Sequence, residues 1–345
     1  MGLSLEMKSC GIILKLLTVH GLKLEIGNWK LGRTVQKHEG QFPISMFHEC
    51  LLNLIILLML VALAPLTAGA RQVTDQLGRQ VVLSDDPQRV VSLAPSITEI
   101  IFALGEERRL KGATRFSDFP PEAISLPKVG SYVQLDLERI VALKPDLCIA
   151  IKDGNPRQTV VRLESFDVPV YVVDPRNLEA VTETIIEIGD LLNAVENAAD
   201  LVNNMRSRIN RVKSAVAKIS HRPGVFFQIG ISPIVSVGTN TFIHELIVLA
   251  GGDNLTKGPI PYPRFSREQV LFLAPEVFII TSMARGEVFE RVKLEWSRWH
   301  EMPAIKNRRI FLVDSNLFDR PTPRLVDGLE VLGRLIHPEL LEEQQ

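Results

Sequence analysis

The sequence predicts an α/β protein with two lobes joined by a long helix. A segment that reads as helix, turn and apolar strand occurs twice, and a fainter pair of helical segments lies upstream of the two copies. Between the two halves the chain has helical periodicity and no proline. Helices and strands that alternate in this way favour α/β domains with mainly parallel sheets.

Length and composition are those of a folded protein with balanced charge. The chain has 345 residues, 46% hydrophobic and 23% charged, and 39 Lys and Arg oppose 40 Asp and Glu. This composition excludes an extended disordered chain, a collagen-like repeat and a polybasic nucleic-acid-binding protein. The length is sufficient for two domains that each bury a core.

The region 1–70 is predicted to be a leader. An apolar run at 51–66 is followed by the small residues AGA, so a signal peptidase is expected to cleave after Ala70. The run is short for a membrane span, and an uncleaved N-terminal anchor is the alternative. Because an export signal begins near a start codon, we expect 1–45 to come from a mis-called start and 46–70 to be the signal peptide.

The expected mature chain, 71–345, keeps a single cysteine, Cys148, and therefore has no internal disulfide. Cys148 lies in an apolar strand pattern, where a buried thiol is inert. No other apolar stretch in the mature chain is long enough to span a bilayer, so a soluble, extracytoplasmic product is expected.

The clearest repeat pairs LERIVALKPDLCIA (137–150) with REQVLFLAPEVFII (267–280). In each copy a helical pattern ends at a proline, and an apolar run of strand length follows. Asp136 and Ser266 stand where N-caps are expected, and Ser266 with Gln269 predicts a capping box. Each copy is therefore predicted to fold as helix, turn and buried strand.

The two copies also share an acid and an aromatic residue. Glu138 in the first copy corresponds to Glu268 in the second, and Tyr132 and Tyr262 each stand six residues before that glutamate. A duplicated half-molecule is expected to bring one ring and one acid from each lobe to a shared surface.

A fainter repeat pairs ITEIIFALG (97–105) with IHELIVLAGG (243–252), and each helical segment is closed by glycine. Strand-like runs lie before these helices and again late in each half, at 89–94, 224–229, 168–173 and 308–313. The predicted fold class is α/β, with two Rossmann-like lobes at 71–175 and 221–345 whose sheets are mainly parallel.

The connection between the lobes, 176–220, is predicted to be helical. Apolar residues recur there at three- and four-residue spacing, and a flexible Gly/Ser linker is absent. We expect a break near Asn193 and then one long inter-lobe α-helix of roughly 25 residues.

Together these features resemble the class III periplasmic binding proteins, the Fe- and cobalamin-type substrate-binding proteins of ABC transporters. The similarity covers most of the chain after Ala70 and is greatest to cobalamin-binding members of the family. The segments that carry it are RVVSLAPSITEIIFALG, FSDFPPEA, LDLERIVALKPDLCIA, FFQIGISP, GGDNL, YPRFSREQVL and FDRPTPR.

The resemblance implies a periplasmic protein, expected to be a monomer, that holds a small-molecule ligand between its lobes. It implies delivery to an ABC importer, by docking on a permease dimer with its ATPase subunits, and only small hinge motion. No enzymatic activity, nucleic acid, metal or resident cofactor is expected. The expected ligand is a cobalamin-like corrinoid (vitamin B12 transport), and an iron-siderophore or haem is the alternative.

The family pattern also assigns residues. Its docking acids correspond to Glu138 and Glu268, although a glutamate in the first turn of a helix is also favoured by the helix dipole alone. The residues that correspond to its ligand-binding positions are Phe116, Tyr132, Tyr262, Asn316, Phe318 and Arg320. Phe116 could instead be an ordinary core residue, and Arg320 could simply pair with Asp319 at the surface.

Two departures bear on the ligand. Where cobalamin-binding members have further aromatic residues, this chain has Ile151 and Val235, and two tryptophan positions are tyrosine. A less aromatic groove keeps other corrinoids, siderophores and haem open. A siderophore with carboxylates calls for pocket arginines, and Arg115 and Arg320 are the only candidates, so a corrinoid is favoured.

A secreted α/β enzyme is the remote alternative, without a visible site. The chain has no nucleophile elbow or phosphate-binding loop, and His244-Glu245 lacks the second histidine of a zinc site because residue 248 is Val. His244 is expected on a helix surface. Trp296 and Trp299, three residues apart, are expected to pack in the core.

Overall fold

The computed structural model describes residues 69–281 and 287–339. The leader predicted at 1–70, with its mis-called start at 1–45 and signal peptide at 46–70, lies outside the described residues except for Gly69 and Ala70. Within the described ranges, no helix has the length and apolar character needed to cross a membrane.

The first half of the described chain forms a parallel sheet. Its strands have the order β4-β3-β5-β6, and an antiparallel hairpin, β1 with β2, precedes them. The strands are β1 Ala70–Thr74, β2 Gln80–Ser84, β3 Val90–Ser92, β4 Leu110–Gly112, β5 Leu147–Ile151 and β6 Val170–Val173. The helices of this half are α1 Pro95–Ala103, α2 Leu137–Ala142 and α3 Arg157–Glu164.

Two helices connect the halves, α4 (Leu178–Leu191) and α5 (Val195–Val216). Asn177 begins α4 as N-cap, because its side chain accepts a hydrogen bond from the Ala180 backbone. The break falls at Asn193, whose φ of 56° is left-handed. The long inter-lobe helix predicted from the apolar spacing is confirmed as α5, which has 22 residues.

The second half forms a parallel sheet with the order β12-β11-β7-β9, and a short antiparallel pair, β8 with β10, stands apart from it. The strands are β7 Gly224–Gln228, β8 Ile234–Val235, β9 Asp253–Asn254, β10 Arg264–Phe265, β11 Val277–Ile280 and β12 Ile310–Leu312. The helices are α6 Phe242–Leu249, α7 Arg267–Leu273, α8 Glu287–Trp296, α9 Pro303–Lys306 and α10 Leu325–Ile336. We call the two halves the N-lobe and the C-lobe.

The predicted repeat is confirmed by the two sheets, since β9-β7-β11-β12 matches β4-β3-β5-β6 strand for strand. Asp136 caps α2, and Ser266 with Gln269 forms the capping box of α7. The turns after these helices also match, because Lys144 and Ala274, each just before the proline, have φ of 48° and 46°. The sequence did not predict these left-handed residues, since neither is Gly or Asn.

One hydrophobic cluster runs through both lobes and is not confined to either. It contains buried residues from the two sheets, from the connecting helices and from α10: Val90, Ile149, Ile185, Met205, Phe227, Ile279 and Leu329. Two smaller clusters cover the outer faces of the sheets, one around Cys148 and one around Phe278. The shared cluster means that separating the lobes widely would expose core surface.

The contact between α4 and α5 generates the first prediction. A methyl group at Gly189 would overlap Cβ of Ala198 on α5. Gly189→Ala should therefore lower the free energy of unfolding by about 1–3 kcal/mol, in spite of the better helix propensity of alanine. Urea denaturation measures the change.

Gly333→Ala on α10 is the matched control, because the nearest atom to its added methyl, Cγ1 of Val212, lies 3.8 Å away. That variant should be neutral or more stable by up to about 1 kcal/mol, from helix propensity alone. Equal stabilities for the two variants would contradict the packing argument.

Candidate ligand cleft and docking surface

The groove expected between the lobes falls at the carboxyl ends of the parallel strands, because Glu99 follows β3 and its partner Arg320 follows β12. Tyr132 belongs to the loop that joins β4 to α2, and Tyr262 to the equivalent loop that joins β9 to α7. Loops at this end of an α/β sheet are the usual location of ligand sites. The repeat thus places one tyrosine of each lobe in equivalent loops.

Tyr132 is held against the end of β5. A Cβ at Gly154 would lie 2.6 Å from Cδ2 of the tyrosine ring, so only glycine allows this approach. The side chain of Asn155 donates to the backbone oxygens of Tyr132 (2.7 Å) and Leu93 (2.8 Å), and its Oδ1 accepts from the Ile151 backbone at 2.8 Å. These bonds tie the Tyr132 loop to β3 and β5.

Tyr262 is the equivalent residue of the C-lobe. Its side chain is 51% exposed. Burial of the hydroxyl raises the pKa of Tyr262, the negative charge of Asp153 raises it further, and Arg176 opposes the effect. Asp153 follows β5 and Arg176 follows β6, so charged groups at the carboxyl ends of these N-lobe strands act on the Tyr262 hydroxyl.

Phe116 lies on the N-lobe loop after β4, with 49% of its side chain exposed, and is therefore not an ordinary core residue. Asn316 lies in the short 3₁₀ turn Ser315–Leu317 after β12, where its backbone donates to Asp314 at 2.9 Å. Both residues have side chains that remain partly accessible to solvent.

Phe318 requires a correction. The sequence resemblance suggested contact with ligand, but the ring is completely buried and packs edge-on against Phe227, with ring centroids 5.5 Å apart. It belongs to the shared hydrophobic cluster. A segment resemblance could not separate it from its neighbours, because side-chain direction in an irregular turn is set by tertiary packing.

Arg320 also differs from the surface pairing that the sequence left open. It does not form its ion pairs with Asp319, because its Nη1 contacts Glu99 (2.9 Å) and Asp118 (3.0 Å), both in the N-lobe. Its Nη2 donates to the backbone oxygen of Phe116 at 3.1 Å. Arg320 therefore crosses from the C-lobe to the loop that carries Phe116.

Asp319 is a residue of this region that the sequence did not single out. Burial raises the pKa of its carboxyl group to about 7, the charge of Asp314 raises it further, and Arg320 opposes the shift. The negative charge of Asp319 also raises the pKa of Tyr262. A carboxyl group that titrates near neutral pH thus lies in the C-lobe wall near Tyr262.

A cavity of about 600 Å³ lies beside Pro261, between the start of α4 and the start of α6. Its lining includes Arg176, Asn177, Thr241, His244 and Pro261. Nδ1 of His244 lies 3.0 Å from the amide nitrogen of Asn254, and burial lowers the pKa of the imidazole. His244 is thus half-buried and hydrogen-bonded, whereas the sequence placed it on a helix surface.

The predicted docking acids occupy equivalent positions on the surface. Glu138 and Glu268 are both exposed and lie in the first turns of α2 and α7. A hydrogen bond with Ser266, with the backbone and Arg267 as further causes, lowers the pKa of Glu268, which keeps it ionised. The repeat thus places one exposed glutamate of each lobe at equivalent positions.

Three residues considered for other roles are accounted for by packing or exposure. Cys148 is fully buried, and burial raises the pKa of its thiol. Trp296 is buried and its Nε1 donates to Gln228 at 2.9 Å, as expected for a core residue. Trp299 is 40% exposed, so the prediction that both tryptophans pack in the core is wrong for this one.

Within 69–281 and 287–339, no group of three or more His, Cys, Asp or Glu side chains is arranged to hold a metal ion.

The buried carboxyl group of Asp319 predicts a pH effect on stability. Since its pKa is about 7 in the folded protein against an ordinary value of 3.8, the fold loses stability as pH rises from about 4 to about 7. Asp319→Asn should therefore raise Tm by roughly 2–6 °C at pH 8, and the gain should vanish below about pH 4.

Thermal unfolding at several pH values measures this difference, and Asp167→Asn, at an exposed carboxylate, serves as the control. A Tm difference between Asp319→Asn and the wild type that is the same at pH 4 and pH 8 would refute the assignment.

Comparison with known proteins agrees with this architecture. A model of the periplasmic binding protein family matches residues 90–317. A vitamin B12-binding protein of Photorhabdus laumondii is 32% identical over 247 residues, which are 71% of this chain and 86% of that protein.

Solved structures show the same fold. The periplasmic vitamin B12 binding protein of Vibrio cholerae has a TM-score of 0.65 at 28% identity, over 75% of this chain and 99% of that one. A periplasmic heme binding protein from Pseudomonas aeruginosa has a TM-score of 0.67 at 29% identity, over 73% and 93% of the two chains. The chain described here belongs to the periplasmic binding protein family.

Proposed function

We propose that this protein captures a cobalamin-like corrinoid between its lobes in the periplasm and delivers it to an ABC importer. The observation that carries the proposal is the similarity to vitamin B12-binding proteins over most of their length, which reaches 86% of the Photorhabdus laumondii protein. Tyr132 and Tyr262, in equivalent loops of the two lobes, supply the aromatic groove that a large planar ligand requires.

The free energy of burying the aromatic rings is large enough to account for ligand affinity. Burying one ring removes about 150–250 Å² from water, worth at most about 4–6 kcal/mol. Association costs about 4–15 kcal/mol, so one ring does not suffice but three can. Phe116, Tyr132 and Tyr262 are the three rings, and Asn316 adds a polar contact. Arg320 borders the ligand site, and its guanidinium is already paired with acids of the N-lobe.

The charges near Tyr262 favour a corrinoid over a ligand that carries carboxylates. Arg176 is paired with Asp153 and Asp174, each at 2.6 Å, and Lys152 with Asp174 at 2.7 Å. The cations of this rim are thus engaged by carboxylates of the protein itself. Haem propionates or a carboxylate siderophore would have to compete with these pairs.

The docking part of the proposal rests on symmetry. Glu138 and Glu268 stand in the first turns of equivalent helices, one in each lobe. A permease with two-fold symmetry presents two equivalent surfaces, and each can receive one of these acids. Complementary charge at such a contact favours fast and specific association.

Ligand titration tests the binding proposal. The exported protein should bind cyanocobalamin with a Kd on the order of 10⁻⁸ M, and haem and ferric siderophores far more weakly. Tyr262→Ala should weaken cobalamin binding by roughly 10–100-fold, because it removes a half-exposed ring from the groove. Quenching of intrinsic fluorescence reports both values.

Phe272→Ala is the control, since this ring on α7 is 90% exposed and is not one of the groove residues. The variant should bind cobalamin with the affinity of the wild type. Tighter binding of haem than of cobalamin would overturn the corrinoid assignment in favour of the haem alternative.

Permease-stimulated ATP hydrolysis tests docking. Glu138→Ala and Glu268→Ala should each reduce the stimulation several-fold while ligand affinity stays unchanged. Glu196→Ala is the matched control for these two variants, because Glu196 is also exposed and also lies in the first turn of a helix, α5. Normal stimulation together with lost ligand affinity in the two docking variants would contradict the proposed role.

A further inference from the structure

A buried ion cluster joins the two lobes. Glu99 on α1 of the N-lobe has a side chain only 2% exposed, and its carboxylate meets two arginines of the C-lobe. Arg324 donates to both carboxylate oxygens, at 2.8 and 2.9 Å, and Arg320 donates to one of them at 2.9 Å. Asp118 of the N-lobe, 3.0 Å from Arg320, completes the cluster.

The cluster is balanced in charge only while the lobes are together. Its acids, Glu99 and Asp118, come from the N-lobe, and its cations, Arg320 and Arg324, come from the C-lobe. Opening the groove at this side would separate Glu99 from both arginines and break three charge-assisted hydrogen bonds. The bidentate contact of Arg324 also fixes orientation as well as distance.

The same arginines hold the loop of Phe116. Arg320 donates to the Phe116 backbone oxygen at 3.1 Å, and the guanidinium of Arg324 lies 3.6 Å from the ring centroid of Phe119. From the N-lobe side, Thr98, next to Glu99 on α1, donates to Ser117 at 3.0 Å. The loop 116–119 is therefore held between α1 and the segment of the C-lobe that starts at Arg320.

We propose that Glu99 is a positioning residue for ligand capture. It holds Arg320 and Arg324 so that the Phe116 loop and the C-lobe wall keep one fixed separation across the groove. The effect on ligand affinity rests on the proposed function, whereas the effect on lobe separation does not.

Distances between the lobes test the proposal directly. In the full chain with Cys10 and Cys50 changed to serine, spin labels at Val161→Cys on α3 and Leu294→Cys on α8 report lobe separation, because both sites are exposed and Cys148 is buried. Glu99→Gln keeps the shape of the side chain and removes its charge. It should broaden the apo distance distribution, shift it to longer values and weaken cobalamin binding at least about tenfold.

Glu330→Gln is the matched control. Glu330 is a partly buried acid that contacts Arg208 at 2.9 and 2.7 Å, between α10 and α5 and away from the groove. It should lower Tm and leave the distance distribution and ligand affinity unchanged. Because both variants lose an ion pair, this comparison separates positioning from a general loss of stability.

Arg324→Lys provides a milder change if Glu99→Gln does not fold, since it keeps the charge and loses the bidentate contact. A broadened distribution in this variant supports the proposal. If the distribution in either Glu99→Gln or Arg324→Lys matches that of the wild type, the positioning role is refuted. If the wild type binds no cobalamin but the distribution of Glu99→Gln broadens, the ligand assignment fails and the role of Glu99 in lobe separation stands.

Discussion

The shared hydrophobic cluster is the constraint on which the rest of the structure depends. Buried side chains from both sheets meet those of α4, α5 and α10, so neither lobe has a complete core of its own. The groove between the lobes can be a stable feature because its walls are attached to one core. The connection through α5 is a single helix of 22 residues and is therefore stiff, which suits the docking role proposed for Glu138 and Glu268.

Polar contacts complete this arrangement at the groove. The Glu99 cluster ties α1 to the segment at Arg320 and Arg324, and Glu245 of α6 accepts a hydrogen bond from the Leu178 backbone at 2.7 Å, where α4 begins. The first contact joins the C-lobe to the N-lobe, and the second joins the C-lobe to the connecting helix α4. The loop of Phe116 is thus held from both lobes, by Arg320 of the C-lobe and by Thr98 of the N-lobe.

Much of the fold could be predicted because the sequence pattern is duplicated, so that each copy strengthens the interpretation of the other. The N-caps Asp136 and Ser266, the helix ends before proline and the long helix α5 all follow local rules that the sequence displays. The left-handed residues Lys144 and Ala274 did not follow from local preference, because the turn into β5 and β11 imposes their conformation. For the site, the repeat in the sequence predicted that Tyr132 and Tyr262 lie at equivalent positions of the two lobes.

The sequence by itself determined the class of the protein: two α/β lobes, a helical connection, and an acid and a ring repeated in each lobe. Only the tertiary structure decided that Phe318 is core, that Arg320 pairs across the lobes and that Asp319 titrates near neutral pH. The reason is physical. Helix and strand signals arise from neighbours along the chain, whereas burial, ion pairing and pKa depend on residues that only folding brings together, such as Glu99 and Arg324.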